Sequence, residues 1–466
     1  MRAFSRNRRK LIKPHYVRGL KKTMTGTSKV TLENAIDAHI PYLEITGKTA
    51  QNGTPSPEAP VSIENANDNG MSVVLHGTNL ATAYQIFADR NQYTELEFDG
   101  SECIRYQCDK ATDKVIEGGF KENTQYTLSC EAYATVRTSL GNDRAYLYVI
   151  YYTDGTYDAV YLNTVNTWEY SKFTTKANKT VATISMRAWA YMKDIYVDVN
   201  TFQINEGTQV LPYEPYFRET VEIPTSIDVN GTSVSLLFSE YDKLAVDKKA
   251  GKVKYIEGGY YKTLTGNEGM GYSSSRGYAW VIVPHRLTGN GYSSHHQGTS
   301  VMFLNGLSFG DSGIAFSKPV FLSTDGLGTY LREQNANGTP VTVLAELEKP
   351  MEYDITKTEI GQALLSLATR QGTNYLEIVG DLEPSALNVT YYSESEQDQV
   401  NLTIKYMCGD REIKEPRVQE IRKGSKYLIV SPHIDGYTRI SSEVYGVADE
   451  NVEIELIYEE NSDATI

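Results

Sequence analysis

Long apolar runs are missing from this chain of 466 residues. None approaches the roughly 20 residues that a membrane-spanning helix requires. Near its first residue the chain also lacks the apolar core of a secretory leader, so export by that route is not expected. Cysteine is scarce. Cys103, Cys108, Cys130 and Cys408 are too few and too scattered for a disulfide framework, and no second metal-like pair follows Cys103 and Cys108. Reduced, buried thiols and folding in a reducing cytoplasm are the expectation. Helical periodicity is sparse as well. It is visible over Thr358 to Thr369, where Ile360, Ala363, Leu364 and Leu367 share a face, and more weakly from Asp325 through Arg332 to Asn335. No HExxH, GxSxG or phosphate-binding loop occurs.

Tyrosine is abundant: 35 residues against 12 phenylalanines and 3 tryptophans. A phenol ring with a polar tip suits half-exposed strands and binding surfaces. In Ala145 to Tyr152, strict alternation puts Ala145, Leu147, Val149 and Tyr151 on one face and Tyr146, Tyr148, Ile150 and Tyr152 on the other. Short alternating runs of this kind are separated by turn dipeptides such as Asn52-Gly53, Asp99-Gly100, Asp154-Gly155, Asn230-Gly231 and Asn337-Gly338. The class this implies is all-β. Strands expected between residues 77 and 216 are Glu95–Phe98, Cys103–Gln107, Gln125–Ala134, Ala145–Tyr152, Trp168–Thr175, Thr180–Tyr191 and Asp194–Ile204. Their spacing implies a sandwich or jelly roll.

Tyr42-Leu43-Glu44-Ile45-Thr46-Gly47 and Tyr375-Leu376-Glu377-Ile378-Val379-Gly380 differ at one position. The two segments lie in one sheet or in equivalent places of two sheets, and in one domain they make the block between them, about 77 to 216, an insertion; otherwise a common strand pattern has recurred by chance. The domains expected are a basic arm (1–29), a β segment (30–76) pairing with a second β domain (217–392), a jelly-roll-like block (77–216), a linker (393–399) and a small β unit (400–460).

Charge is uneven. The net −14 divides into +10 over residues 1–30, which hold no acidic residue, and −24 over the remainder. Such an arm, with Arg6, Arg8, Arg9, Lys10 and Tyr16 as its anchoring candidates, suits docking on an acidic protein partner, because an acidic body repels nucleic acid. A solvated, disordered tail is the alternative.

Several ordered phrases carry a resemblance. Gln51-Asn52-Gly53-Thr54-Pro55-Ser56-Pro57-Glu58-Ala59-Pro60-Val61 is similar to a segment of tail proteins from phages and prophages of Firmicutes. Gly77-Thr78-Asn79-Leu80, Phe202-Gln203-Ile204-Asn205-Glu206-Gly207 and Pro212-Tyr213-Glu214-Pro215-Tyr216 resemble the opening and closing phrases of a jelly-roll carbohydrate-binding module. Asn337 to Val343 and Leu387 to Tyr392 also fit the tail-protein pattern. Beyond the linker, Val400 to Tyr406, Gly424 to Tyr427, Pro432 to Tyr437 and Ile454 to Tyr458 resemble the MucBP module of bacterial surface proteins, with a departure at Cys408-Gly409-Asp410, and the resemblance implies a small β-grasp-like domain over 400–460.

The resemblance implies a non-enzymatic virion protein, assembled in the host bacterial cytoplasm and placed at the tail tip or on a fibre-like appendage. Its expected partners are other virion proteins through the arm, host-surface glycans and further copies of itself, with no nucleic acid and no membrane insertion. A capsid decoration or head fibre, or a polysaccharide-degrading tail enzyme, is the alternative. No cofactor is expected. Calcium is common in jelly-roll modules, but no ligands for it can be selected. The saccharide platform expected from the alternation comprises Arg187, Trp189 and Tyr191 together with Tyr146, Tyr148 and Tyr152, unless those rows pack against another domain or subunit. The stretch from Gly266 to His296, with Tyr272, Tyr278, Trp280, Tyr292, His295 and His296, reads as a surface loop. Gly310-Asp311-Ser312-Gly313 resembles a nucleophile turn but has no evident base.

Overall fold

A computed structural model describes residues 18–87, 93–106, 112–136, 145–186, 192–297, 300–305, 312–317, 324–393, 399–422, 425–440, 443–448 and 450–461. Strands dominate. The helices among the described residues are Ala83–Phe87, Thr324–Ala336 and Glu359–Ser366. The last begins at Thr358, whose hydroxyl accepts from the Gly361 amide at 3.1 Å and so caps an otherwise orphaned donor. The fold is all-β, and the two longer helices lie where the periodicity placed them.

The chain divides into two compact units, one of Lys21–Glu33 with Asp37–Tyr391 and the other chiefly Tyr392–Ile466. An 11-stranded sheet forms the backbone of the first. Its order is Arg218–Ile223, Met71–His76, Gly372–Val379, Lys29–Ala35, Ala386–Ser393, Tyr42–Thr46, Lys243–Asp247, Lys252–Leu264, Val341–Asp354 and Leu287–Ser293, with Arg18–Thr25 pairing off this path. Alternation decides what is buried: Leu43 and Ile45 in one strand, Leu376 and Ile378 in another, Leu387, Val389 and Tyr391 in a third. The two near-identical sequence segments therefore lie in the same sheet. Met71–His76 pairs antiparallel with Arg218–Ile223, His76 opposite Arg218, so residues 77–217 leave the sheet and return to the same point.

That excursion is a β-sandwich. Thr112–Lys114, Val181–Met186, Ala145–Tyr152 and Tyr157–Leu162 form one sheet. Trp168–Thr174, Tyr126–Val136, Met192–Asp198, Ser101–Tyr106 and Tyr93–Phe98 form the other, with Gln203–Glu206 also pairing with Tyr126–Val136. Both sheets contribute to one core, including Leu128, Cys130, Leu147, Tyr148, Ile150, Ile184, Ile195 and Val197. The turn chemistry is what the dipeptides dictate. Asp99 and Gly100 take φ of 52° and 78° and close a two-residue hairpin with Phe98 opposite Ser101.

Asn79 explains two of the recurring phrases. Its buried side chain accepts from the amides of Ala81 and Ile204, and donates to the carbonyls of Phe202 and Glu214. One amide thus ties the start of the sandwich to its end. A charged cluster sits beside it: Lys121 pairs with Glu206 and Glu377 at 3.0 Å each, Lys29 pairs with Glu206 at 3.1 Å, and His76 lies 3.6 Å from Glu377. Burial alone would raise the Glu377 carboxyl. Hydrogen bonds from His76 and Lys121 and the charges of Lys121 and Lys29 outweigh it and bring the group down to about 2.

In the second unit, Arg411–Arg422, Gln399–Cys408, Val452–Glu460 and Tyr437–Arg439 make a four-stranded sheet. Gln399–Cys408 and Val452–Glu460 run parallel at its centre, and Leu402, Ile404, Tyr406, Ile454, Leu456 and Tyr458 form its small core. Ser425–Val430 and Glu443–Ala448 form a separate antiparallel pair.

Candidate functional site

The outer face of the larger sandwich sheet carries the strongest aromatic cluster among the described residues. Along Tyr126–Val136, Leu128, Cys130, Ala132 and Ala134 point inward, which leaves Thr127, Ser129, Glu131, Tyr133 and Thr135 on the outer face. Cross-strand pairing sets Trp168 opposite Tyr133, Tyr170 opposite Glu131, and Tyr196 opposite Tyr133 on the other side. The Asp99-Gly100 hairpin brings in Phe98, whose ring stacks on Tyr196 at 3.9 Å and meets Tyr133 edge-on at 5.0 Å. Trp168 lies 5.8 Å from Tyr133 and 6.0 Å from Phe98. Its indole N–H donates to Asp99 Oδ2 at 3.0 Å, which fixes the ring.

Tyr196 is nearly covered, whereas Tyr133, Trp168 and Phe98 are half-buried and Tyr170 is 51% exposed. Rings held on hydrogen-bonded strands lose little freedom when a ligand stacks on them. Acidic groups surround them. Asp99 and Glu131 are exposed, whereas Asp194 and Asp198, on either side of Tyr196 along its strand, are buried. Among the described residues, Lys172 is exposed beyond Tyr170 and Arg105 lies opposite Tyr196. Burial, with the charge of Asp99 adding to it, raises the Tyr133 phenol above its ordinary range, so it acts as a neutral hydrogen-bonding ring.

Little of this matches the platform expected from the alternation. Arg187, Trp189 and Tyr191 lie outside the described residues, as do the arm candidates Arg6, Arg8, Arg9, Lys10 and Tyr16. The backbone of Tyr146 is placed opposite Tyr161. Tyr148 and Tyr152 are corrected outright, being 0% and 2% exposed and part of the sandwich core. A register shift between Tyr146 and Tyr148 breaks the alternation, and Leu147 through Ile150 are all buried. Burial and the neighbouring Cys130 push the Tyr148 phenol far up. Tyr152 serves as a strut, donating to Asp158 at 2.7 Å and accepting from the Lys176 amide at 3.0 Å.

Two further expectations are revised. The stretch from Gly266 to His296 folds into Met270–Ser273, Tyr278–Val283 and Leu287–Ser293 rather than a loop, and His295 and His296 are buried. Trp280 lies flat over Gly271, where an added Cβ would meet the indole at 2.1 Å. Ser312 is buried and opens a strand opposite Val283, which is not the exposed turn a nucleophile requires. His296 packs instead on Phe316 and Tyr330, at 5.3 and 6.1 Å.

Cys103 and Cys130 are buried free thiols and Cys408 is a half-buried one. Among the described residues no group of three or more His, Cys, Asp or Glu side chains is placed to hold a metal, and no helix is long and apolar enough to cross a membrane. Of the basic residues near the start of the chain, Lys22 and Lys29 are spent within the fold, Lys22 on the Thr31 carbonyl and Glu33, Lys29 on Glu206. No protein-family model and no curated protein matches the chain.

The aromatic face was not selected by sequence reasoning, although its signal was present. Trp168-Glu169-Tyr170-Ser171-Lys172 alternates rings with small or charged groups. Leu128, Cys130, Ala132 and Ala134 declare the inward side of the neighbouring strand, and so put Tyr133 outside.

Proposed function

We propose that this chain is a non-enzymatic binding protein of a phage particle, placed at the tail tip or on a fibre-like appendage, whose sandwich is a jelly-roll-like module touching host-surface glycans. The observation that carries this reading is the outer sheet face bearing Phe98, Tyr133, Trp168 and Tyr170, with its central rings braced against one another and Trp168 held by Asp99. Saccharide recognition uses flat apolar surfaces under sugar rings and a few fixed polar groups beside them, and this face offers both. The phrases resembling tail proteins, including the segment from Gln51 to Val61, support the virion assignment. The parallel central pair of the terminal unit is compatible with a MucBP-like, β-grasp-like module serving as a spacer or host-surface contact.

In this reading the basic residues before Arg18 attach the protein to its virion neighbours. Many copies together turn weak individual sugar contacts into firm attachment. The decisive experiment is glycan-array binding and titration of the full chain against Trp168→Ala and Tyr170→Ala, with folding checked by circular dichroism. Each variant is expected to lose about tenfold or more in affinity, since one stacked ring is worth about 0.5–1.5 kcal/mol beyond its buried area. Unchanged affinity in both removes the platform. Immunogold labelling of intact particles distinguishes the tail from the head.

A further inference from the structure

We propose that Asn52 is a site of spontaneous covalent modification. Its side-chain amide cyclises onto the backbone nitrogen of Gly53 and hydrolyses to aspartate or isoaspartate, ahead of the other Asn-Gly pairs of the described fold. Neither a ligand nor a partner is required, only water.

The reaction needs a carboxamide free to swing onto the next backbone nitrogen, and no Cβ on that next residue to bar the approach. The Gly53 nitrogen bonds to Asn52 Cγ, its proton passes to the departing nitrogen, and ammonia leaves a five-membered succinimide. Water then adds to one of the two ring carbonyls. Breaking the new bond at Cγ yields aspartate on the original main chain. Breaking the original peptide bond yields isoaspartate, with the main chain rerouted through Cγ and lengthened by a methylene. Either product carries a negative charge where the amide was neutral.

Five Asn-Gly pairs lie wholly within the described residues, at Asn52, Asn69, Asn230, Asn290 and Asn337, while Asn305-Gly306 ends outside them. Four of the five are restrained. Asn69 donates its amide to Asp381, and the Gly70 N–H donates to the Asn67 carbonyl at 3.4 Å. Asn230 and Gly231 form the two-residue turn of a hairpin, with Val229 opposite Thr232 and the Gly231 N–H on Asp228 Oδ1 at 2.9 Å. Asn290 lies in the strand Leu287–Ser293 and donates its amide to Glu346 at 2.7 Å. The Gly338 N–H closes the end of the helix Thr324–Ala336 on the Asn335 carbonyl at 3.1 Å. At each of these, cyclisation must first release a group that the fold holds.

Asn52-Gly53 is different. Both residues are exposed and lie outside any strand or helix. Among the described residues, neither the Asn52 carboxamide nor the Gly53 N–H has a hydrogen-bond partner. The turn itself demands the glycine, because Gly53 takes a φ of 121° that side chains rarely adopt. The flanks stay anchored. Gln51 donates to the carbonyls of Val61 and Ser293 at 3.2 and 3.0 Å, the Val61 N–H donates to the Ser294 carbonyl at 2.8 Å, and Pro55 is buried. The new charge and the extra methylene therefore fall on a short exposed stretch between fixed points.

The test is peptide mapping by mass spectrometry. The full chain is held folded at body temperature in mildly alkaline buffer and sampled over time, beside the same chain in guanidinium chloride. In the folded chain Asn52 is expected to convert at least about tenfold faster than each of the four restrained asparagines. Such a gap equals about 1.4 kcal/mol in barrier, close to the net worth of one hydrogen bond. In denaturant the five should convert at similar rates, since the following residue is glycine in every case. If any of the four keeps pace with Asn52 in the folded chain, or the same spread persists in denaturant, the proposal fails.

Discussion

Glu257 shows how a single side chain can set the pH response of a β protein. It sits at a register shift in the strand Lys252–Leu264 and accepts from the Tyr353 hydroxyl at 2.9 Å. Burial raises its carboxyl to about 7; the Tyr353 hydrogen bond opposes this and the charge of Asp242 adds to it. The folded chain therefore keeps a proton that the unfolded chain releases above about 4.5. Stability attributable to this group is present at low pH and falls as pH climbs from about 4.5 to about 7, then levels. His296 has the opposite sign. Burial, with the neighbouring His295, lowers it to about 4, so its contribution is lost as pH falls from about 6.5 through 4. The two slopes oppose each other where the windows overlap. Glu257→Gln, whose amide oxygen still accepts from Tyr353, is expected to melt higher than the parent at pH 8 and equally at pH 4. Its midpoint should rise between pH 4 and 6.5 more steeply than the parent's. Equal melting temperatures at pH 8 would show that Glu257 is ionised at no cost in the fold.

At the scale of elements, the two near-identical strands separate what sequence reveals from what it conceals. Leu43, Ile45, Leu376 and Ile378 alternate with polar residues in the sequence and are buried in the fold, because a period of two on a half-buried strand leaves one choice of face. The helices at Thr324 and Glu359 were legible for the same reason, with a different period. Within the sandwich this reasoning failed for Tyr148 and Tyr152. Tyrosine is compatible with either side of a strand, and the face that Tyr148 and Tyr152 share with Ile150 is the one turned to the core. The glycines ending the two similar segments look equivalent and are not. An added Cβ at Gly47 would lie 2.1 Å from the Phe238 carbonyl oxygen and 2.2 Å from that of Ser239, both backbone atoms. At Gly380 the nearest atom is Met71 Cβ at 3.0 Å. Gly47→Ala is accordingly expected to cost about 2–3 kcal/mol in urea denaturation. Gly380→Ala should stay within about 1 kcal/mol, since lost freedom in the unfolded chain offsets a slight crowding. Similar costs at both positions would mean that the close approach at Gly47 relaxes freely.

For the larger of the two units, the arrangement of the inserted sandwich makes a strong claim about independence. Residues 77–217 leave the 11-stranded sheet at His76 and rejoin it at Arg218, and these two residues face each other across an antiparallel pair. A two-residue turn is the commonest closure for such strands, and Asn-Gly is its preferred sequence. Replacing residues 77–217 by Asn-Gly should therefore leave the large sheet folded. The deletion removes Lys121 and Glu206 from the charged cluster but leaves Glu377 beside His76 and Lys29 over the Tyr375 ring at 4.4 Å. It exposes surface that the sandwich covers, so a lower melting temperature is expected together with a cooperative transition and a circular dichroism spectrum that is still of β type. The excised sandwich should fold as well, because its core draws on both of its own sheets and Asn79 ties its two ends together. That piece alone should retain the glycan affinity of the full chain, and the deleted chain should have none. A deletion variant that loses its sheet would instead make the sandwich part of the scaffold, and binding retained after deletion would move the contact surface away from Trp168 and Tyr170.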